Sequence, residues 1–293
     1  MQFEYPSQRF QDWVSQRWVM WRGRLIDPAD VPWLMGPFGN VDAVSDKFIE
    51  RLAESEGLDI QRRTQGAGLL ESMAVIESSG QLMAPVRPEA AAFYLETTDH
   101  HMEVWSQWNP VFRPFGGLLH LLYSRRLEQL NMPLNPLDTS RGMRSEIIRL
   151  RDPVSGAIRY TVWYRILKAT NQVLYSGVYT TERTPTGVAC VKVVFPLPCG
   201  NATVMLRAQT DEAGNLSLIS EGQRFGDPGF YFLLRDSKQR HWAQYIRSFR
   251  ERIDVYCDDE GVLRADHVVT LWRRRVLALH YRMNRLPSAQ PPV

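Results

Sequence analysis

From Glu146 onward the sequence changes its hydrophobic period from about 3.6 residues to 2, and no other feature restricts the fold as strongly. Runs rich in Val, Ile, Thr, Tyr and Trp alternate with compact turn signals. These are Asp152-Pro153 to Gly156, Thr170-Asn171, Pro185 to Gly187, Asp211 to Gly214-Asn215, Asp236-Ser237 and Asp258 to Gly261. The turns often lie about 12 to 20 residues apart, so the strands are long and the links short. Short links join antiparallel neighbours, and residues 146–285 read as an antiparallel β-meander. About eight to ten long strands accumulate enough twist to curl or close the sheet.

The first part of the chain has the helical period instead. Phe10, Trp13, Val14, Arg17, Trp18 and Trp21 recur at helix spacing after Pro6-Ser7, placing three indoles on one face. Ser45-Asp46 followed by Phe48, Ile49 and Leu52 marks a second helix, and the run from Leu69 to Ile76 a third. Residues 1–85 thus form a helical N-terminal region. In residues 86–145, helices pack on the sheet: Pro88 suits the first turn of a helix running to about Gln107, stopped by Asn109-Pro110. The apolar residues of 117–130 cover too much of the circumference for a surface helix. Residues 286–293 read as a disordered tail. The fold class is α+β, with a helical N-terminal region followed by a long curled antiparallel β-meander, barrel-like in its curl.

Composition removes several classes. The longest apolar stretches, such as residues 118–123, are too short to cross a bilayer, so integral membrane association is not expected. The first residues carry no apolar signal-peptide core, and three cysteines without CxxC spacing fit a reducing cytoplasm. With 35 basic against 32 acidic residues, the chain lacks the charge excess of a nucleic-acid reader. Arg273, Arg274 and Arg275 form its densest basic cluster and read as an exposed turn.

The most informative polar pair lies in the hairpin of residues 249–271. Alternation puts Glu251 with Phe249, Ile253, Val255 and Cys257, and His267 with Leu263, Ala265, Val269 and Leu271. A turn at Asp258 to Gly261 sets Glu251 opposite Val269 and diagonal to His267. A carboxylate beside an imidazole on an apolar face can transfer protons, hold a ligand's polar group, or simply satisfy itself within a core. Glu96, His100 and Glu103 would share one face of the expected helix. With a single His and no second-helix partner they read as a solvated stripe, and no metal is expected. Gln65-Gly66-Ala67-Gly68 resembles part of a dinucleotide fingerprint, but no βαβ pattern follows and no cofactor is expected.

Residues 112–283 resemble a family of bacterial domains of unassigned function that are similar to helix-grip (START-like, polyketide-cyclase-like) proteins. The likeness rests on PFGGLLHLLYSRRLEQLNMPL, IRYTVWYRIL with QVLYSGVYTTER, GQRFGDPGFYF and LWRRRVLALHYRM. It implies a β-lined cavity enclosing a hydrophobic ligand. The leading expectation is a binding protein for a hydrophobic or amphipathic small molecule. Trp163, Tyr175, Tyr179 and Tyr231 would line the cavity, and Glu251, His267 and Arg165 would anchor a polar group. The rival is an enzyme using Glu251 and His267 as its acid–base pair. A third reading is a scaffold that forms a homo-oligomer through the indole face of the first helix.

Overall fold

The computed structural model describes residues 8–39, 46–62, 64–78, 82–119, 142–168 and 172–287. The chain enters as helix α1 (Phe10–Arg22), strand β1 (Arg24–Ile26), helix α2 (Asp46–Glu56) and strand β2 (Asp59–Gln61). Two short helices follow, α3 (Ala74–Glu77) and α4 (Pro88–Leu95), then a 3-10 turn (Thr97–Asp99), strand β3 (His100–Trp108) and helix α5 (Arg113–Leu119). After these come β4 (Met143–Arg151), β5 (Ile158–Leu167), β6 (Val173–Arg183), β7 (Ala189–Leu197) and β8 (Gly200–Thr210). The chain then forms β9 (Leu216–Ile219), β10 (Gly229–Arg235), β11 (His241–Tyr245), β12 (Phe249–Cys257), β13 (Leu263–Leu271) and β14 (Arg274–Arg285).

All fourteen strands belong to one sheet, ordered β2-β4-β5-β6-β7-β8-β9-β12-β13-β14-β3, with antiparallel ladders throughout. An arm of β10, β11 and β1 branches from β8. Residues 200–205 of β8 pair with β10, while residues 207–210 pair with β9, so one strand edge serves two neighbours. The sheet curls until β3 and β4 touch without forming a ladder.

The turns follow the expected chemistry. Gly156, Gly187, Gly214 and Gly261 all adopt positive φ, and the Asp152, Asp211 and Asp258 carboxylates accept backbone N–H bonds within their own turns. Thr170-Asn171, the greater part of the 117–130 helix and residues 288–293 lie outside the described residues.

Two helix expectations are corrected. The helix starting at Pro88 ends at Leu95 rather than near Gln107, and His100–Trp108 is a nine-residue strand. Glu96 leaves helical geometry at φ −135°, and the Thr97 hydroxyl donates to the Phe93 carbonyl at 2.6 Å, closing the helix. Beyond it, HHMEVWSQW alternates in burial and pairs with β14 along its whole length. A full ladder outweighs the modest helix propensity of such a segment. Residues 69–76 contribute only the start of α3. Leu69 and Leu70 run irregularly beside the end of α4, where the Leu70 N–H donates to the Tyr94 carbonyl. Gly68 permits this approach, since a Cβ there would lie 2.2 Å from Leu95 backbone.

Both sheet faces are covered along much of the meander. Phe48, Ile49 and Ala53 of α2 pack on Ile148, Val162, Tyr164 and Ile166 of the outer face. Trp33 and Leu34 cover Cys190, Met205 and Tyr231 further along it. Lys192 is buried on this outer side of β7, its Nζ donating to the Met35 carbonyl with the Glu182 carboxylate 4.0 Å away. Burial lowers its pKa from 10.5 to about 8, against the pull of Glu182. Below pH 8 both folded and unfolded chains carry the proton, and the penalty is constant. Between pH 8 and 10.5 the unfolded chain binds more proton, so folding stability rises with pH. Denaturant titrations across this window are expected to show a gain on the order of 3 kcal/mol in the wild type relative to Lys192→Met. Parallel pH profiles for the two proteins would contradict this.

Candidate ligand-binding cavity

The inner face of the curled sheet encloses a cavity of about 760 Å³. Small inward residues leave the space: Ala202 on β8 and Ala265 on β13 both line it. Aromatic side chains form much of the wall, including Trp163, Tyr175, Tyr179, Phe195, Phe230 and Phe249. Gly177 lies opposite Trp163 in the β5–β6 ladder. A Cβ at Gly177 would stand 3.2 Å from Phe195, Tyr179 and Val193, so the glycine lets these side chains converge.

The mouth is marked by residues that line the cavity yet remain exposed. Trp18 on α1 is 41% exposed and Trp272 is 69% exposed. Trp272 and Arg273 form the two-residue turn between β13 and β14, at φ 49° and 64°. This geometry is costly for residues with a Cβ, and it carries the indole out to the rim. Helix α1 crosses the same end with its polarity inverted. Asp12 and Gln16 are buried, Gln16 Nε2 donates to the Pro198 carbonyl at 3.2 Å, and Phe10, Val14 and Trp21 face outward.

The 249–271 hairpin has the expected register. Gly261 takes φ 74°, Glu251 lies opposite Val269, and His267 lies opposite Ile253. His267 Nε2 and Glu251 Oε2 are 3.1 Å apart on the cavity wall, both side chains largely buried. Ser220 fixes the Glu251 backbone, its N–H donating to the Glu251 carbonyl at 2.9 Å and its Oγ accepting the Glu251 N–H at 2.8 Å. This pair can pass a proton to a bound group or hold one by hydrogen bonds.

Arg165 on β5 is 1% exposed and also lines the cavity. Its guanidinium carbon lies 4.0 Å from the Trp163 ring centroid and 3.7 Å from that of Tyr175, its cross-strand partner. Tyr281 reaches it from β14 across the β3–β4 approach, at 5.6 Å. Burial pushes the Tyr179 phenol well above its ordinary pKa, opposed by the Arg165 charge and reinforced by Tyr281 and Glu251. Tyr94 is raised by burial and by Tyr179.

Six of the seven side chains picked out by the sequence as ligand contacts (Glu251, His267, Arg165, Trp163, Tyr175 and Tyr179) line this one cavity. Tyr231 does not. It sits on the outer face of β10 among Trp33, Phe225 and Tyr245, its hydroxyl donating to the Asp227 carbonyl and accepting from Gly226 N–H. Its neighbours Phe230 and Phe232 line the cavity, as the period of 2 requires. Tyr281 and Tyr94 were missed. Tyr281 shares the strand parity of Leu277 and Leu279, a signal available in the sequence, whereas Tyr94 depends on how α4 docks. The Glu96, His100 and Glu103 face dissolves, because His100 points inward with Met102 and Val104 while Glu103 points away. Among the described residues, no three His, Cys, Asp or Glu side chains converge to hold a metal ion.

No family model matches the chain, and no solved structure matches it. It is similar to the uncharacterized membrane protein YndJ of Bacillus subtilis (strain 168), 24% identical over 272 residues. The match covers 89% of this chain and 48% of that protein, so the chain spans about half the length of its relative. Among the described residues, no helix is long and apolar enough to cross a membrane.

Gly177→Val is expected to crowd Phe195, Tyr179 and Val193, costing about 1–3 kcal/mol of stability and reducing the cavity. Urea denaturation together with uptake of a neutral apolar dye measures both effects, and an unchanged midpoint with full dye uptake would contradict the packing described.

Proposed function

We propose that this chain is a binding protein for an amphipathic small molecule held inside the curled sheet. The observation that carries this reading is the 760 Å³ cavity, whose wall is mostly aliphatic and aromatic with a few convergent polar groups. That is the composition and size of small-molecule sites generally. The expected likeness to helix-grip ligand carriers is of the same kind, a cavity between a curled sheet and its covering elements. The relative's description as a membrane protein supports a ligand of lipid character. Three cysteines that form no disulfide, two of them buried, support residence in a reducing compartment such as the cytoplasm.

The hydrogen-bonded Glu251–His267 pair favours a second reading, an enzyme performing acid–base chemistry on the same ligand. The two readings separate on Glu251→Gln. A carrier keeps its ligand with affinity reduced a few-fold, about the value of one hydrogen bond. An enzyme binds nearly as before and ceases to convert it.

Native mass spectrometry of the freshly purified chain, followed by organic extraction, is expected to show a co-purifying apolar molecule. Titration with the neutral dye N-phenyl-1-naphthylamine is expected to give saturable fluorescence enhancement at one site per chain. No adduct together with no saturable dye binding would overturn the carrier reading.

A further inference from the structure

Arg165 is the most unusual buried group in the molecule. Among the described residues, none of its Nε, Nη1 and Nη2 atoms has a hydrogen-bond partner, although all three are shielded from solvent. The hydroxyls of Tyr179 and Tyr281 lie near enough to favour the charge, and the Trp163 and Tyr175 rings supply cation–π contacts. The ring contacts use none of the five N–H donors that a guanidinium presents, and the Tyr281 hydroxyl is a neutral partner that leaves the charge itself uncompensated. The cavity-lining carboxylate Glu251 is engaged by His267 at 3.1 Å and is not among the groups that act on the Arg165 charge. A buried cation of this kind is ordinarily paired, and leaving one unpaired is strongly unfavourable.

Resting on the cavity reading above, we infer that Arg165 is the anchor for the anionic head of the ligand, and that the ligand is a long-chain monocarboxylate. Charge and shape both select this class. One uncompensated positive charge is neutralised by one negative charge, whereas a dianionic phosphate ester would bury an excess. A guanidinium also offers parallel N–H donors that match the two oxygens of a carboxylate. The aliphatic and aromatic wall takes the chain, and the Glu251–His267 pair stands apart from the head as a separate polar contact.

The test measures displacement of N-phenyl-1-naphthylamine from the 293-residue chain by palmitate, hexadecanol, methyl palmitate and hexadecyl phosphate. Wild type is expected to bind palmitate about tenfold or more tightly than hexadecanol or methyl palmitate, the value of a charge-assisted hydrogen bond. Arg165→Met, similar in length and apolar, is expected to lose the preference for palmitate over hexadecanol, read as the ratio of their affinities in the same variant. Equal wild-type affinity for acid, alcohol and ester would overturn the inference, as would an Arg165→Met protein that still prefers the acid. Tighter binding of hexadecyl phosphate than of palmitate would overturn the monocarboxylate assignment. The wild-type ligand series decides the matter even if the variant does not fold. Failure of the dye to bind wild type would instead remove the cavity reading, and this inference with it.

Discussion

Twist accumulated along an unbroken antiparallel ladder is the constraint on which this molecule depends. From β4 through β14 to β3, each strand in the main order pairs with the next, and the sheet turns until its two ends meet. Once it has curled, alternation fixes which side chains face inward. Whether the interior is solid or hollow then depends on the size of the inward residues. Ala202 and Ala265 are too small to meet across the interior, while Trp163, Phe195 and Phe249 stand at the wall. The void arises from these alternating positions, in a sheet otherwise packed on its outer face by α2 and the residues around Trp33.

The buried polar groups fall into distinct situations. Glu251 and His267 satisfy one another, and the Tyr231 hydroxyl is satisfied by a loop, as buried groups usually are. Lys192 is held by a carbonyl and a carboxylate and bears its desolvation as a shifted titration. Arg165 has aromatic faces and the neutral Tyr281 hydroxyl around it, and no carboxylate is paired with it among the described residues. A guanidinium cannot relieve burial by losing its proton, as a lysine can.

Legibility in the sequence followed the range of the interactions involved. The 249–271 hairpin could be read to the residue, because one turn of three to four residues and strict alternation fix its register. The same rule sent Arg165, Trp163, Tyr175 and Tyr179 to the cavity together. It placed Tyr231 wrongly only because the aromatic run Phe230-Tyr231-Phe232 offers no polar residue to mark the face. What stayed hidden depends on distant partners. His100–Trp108 becomes a strand because β14 offers it an edge more than 160 residues later in the chain. The exposure of α1 likewise arises from tertiary contacts: Gln16 meets the Pro198 carbonyl at the mouth, whereas helical periodicity alone groups the indoles on one face without saying whether that face is covered.

The fork at β8 separates two tasks that most curled sheets must perform with the same strands. Residues 207–210 continue the wall into β9, while residues 200–205 support the β10–β11–β1 arm against which α1 lies. Insertions or substitutions in the arm can therefore reshape the entrance while the register that closes the wall is left intact. Entrance and wall are thereby separately adjustable within one continuous sheet, and the inner face that carries Arg165 and its ring partners does not depend on the arm's own pairing.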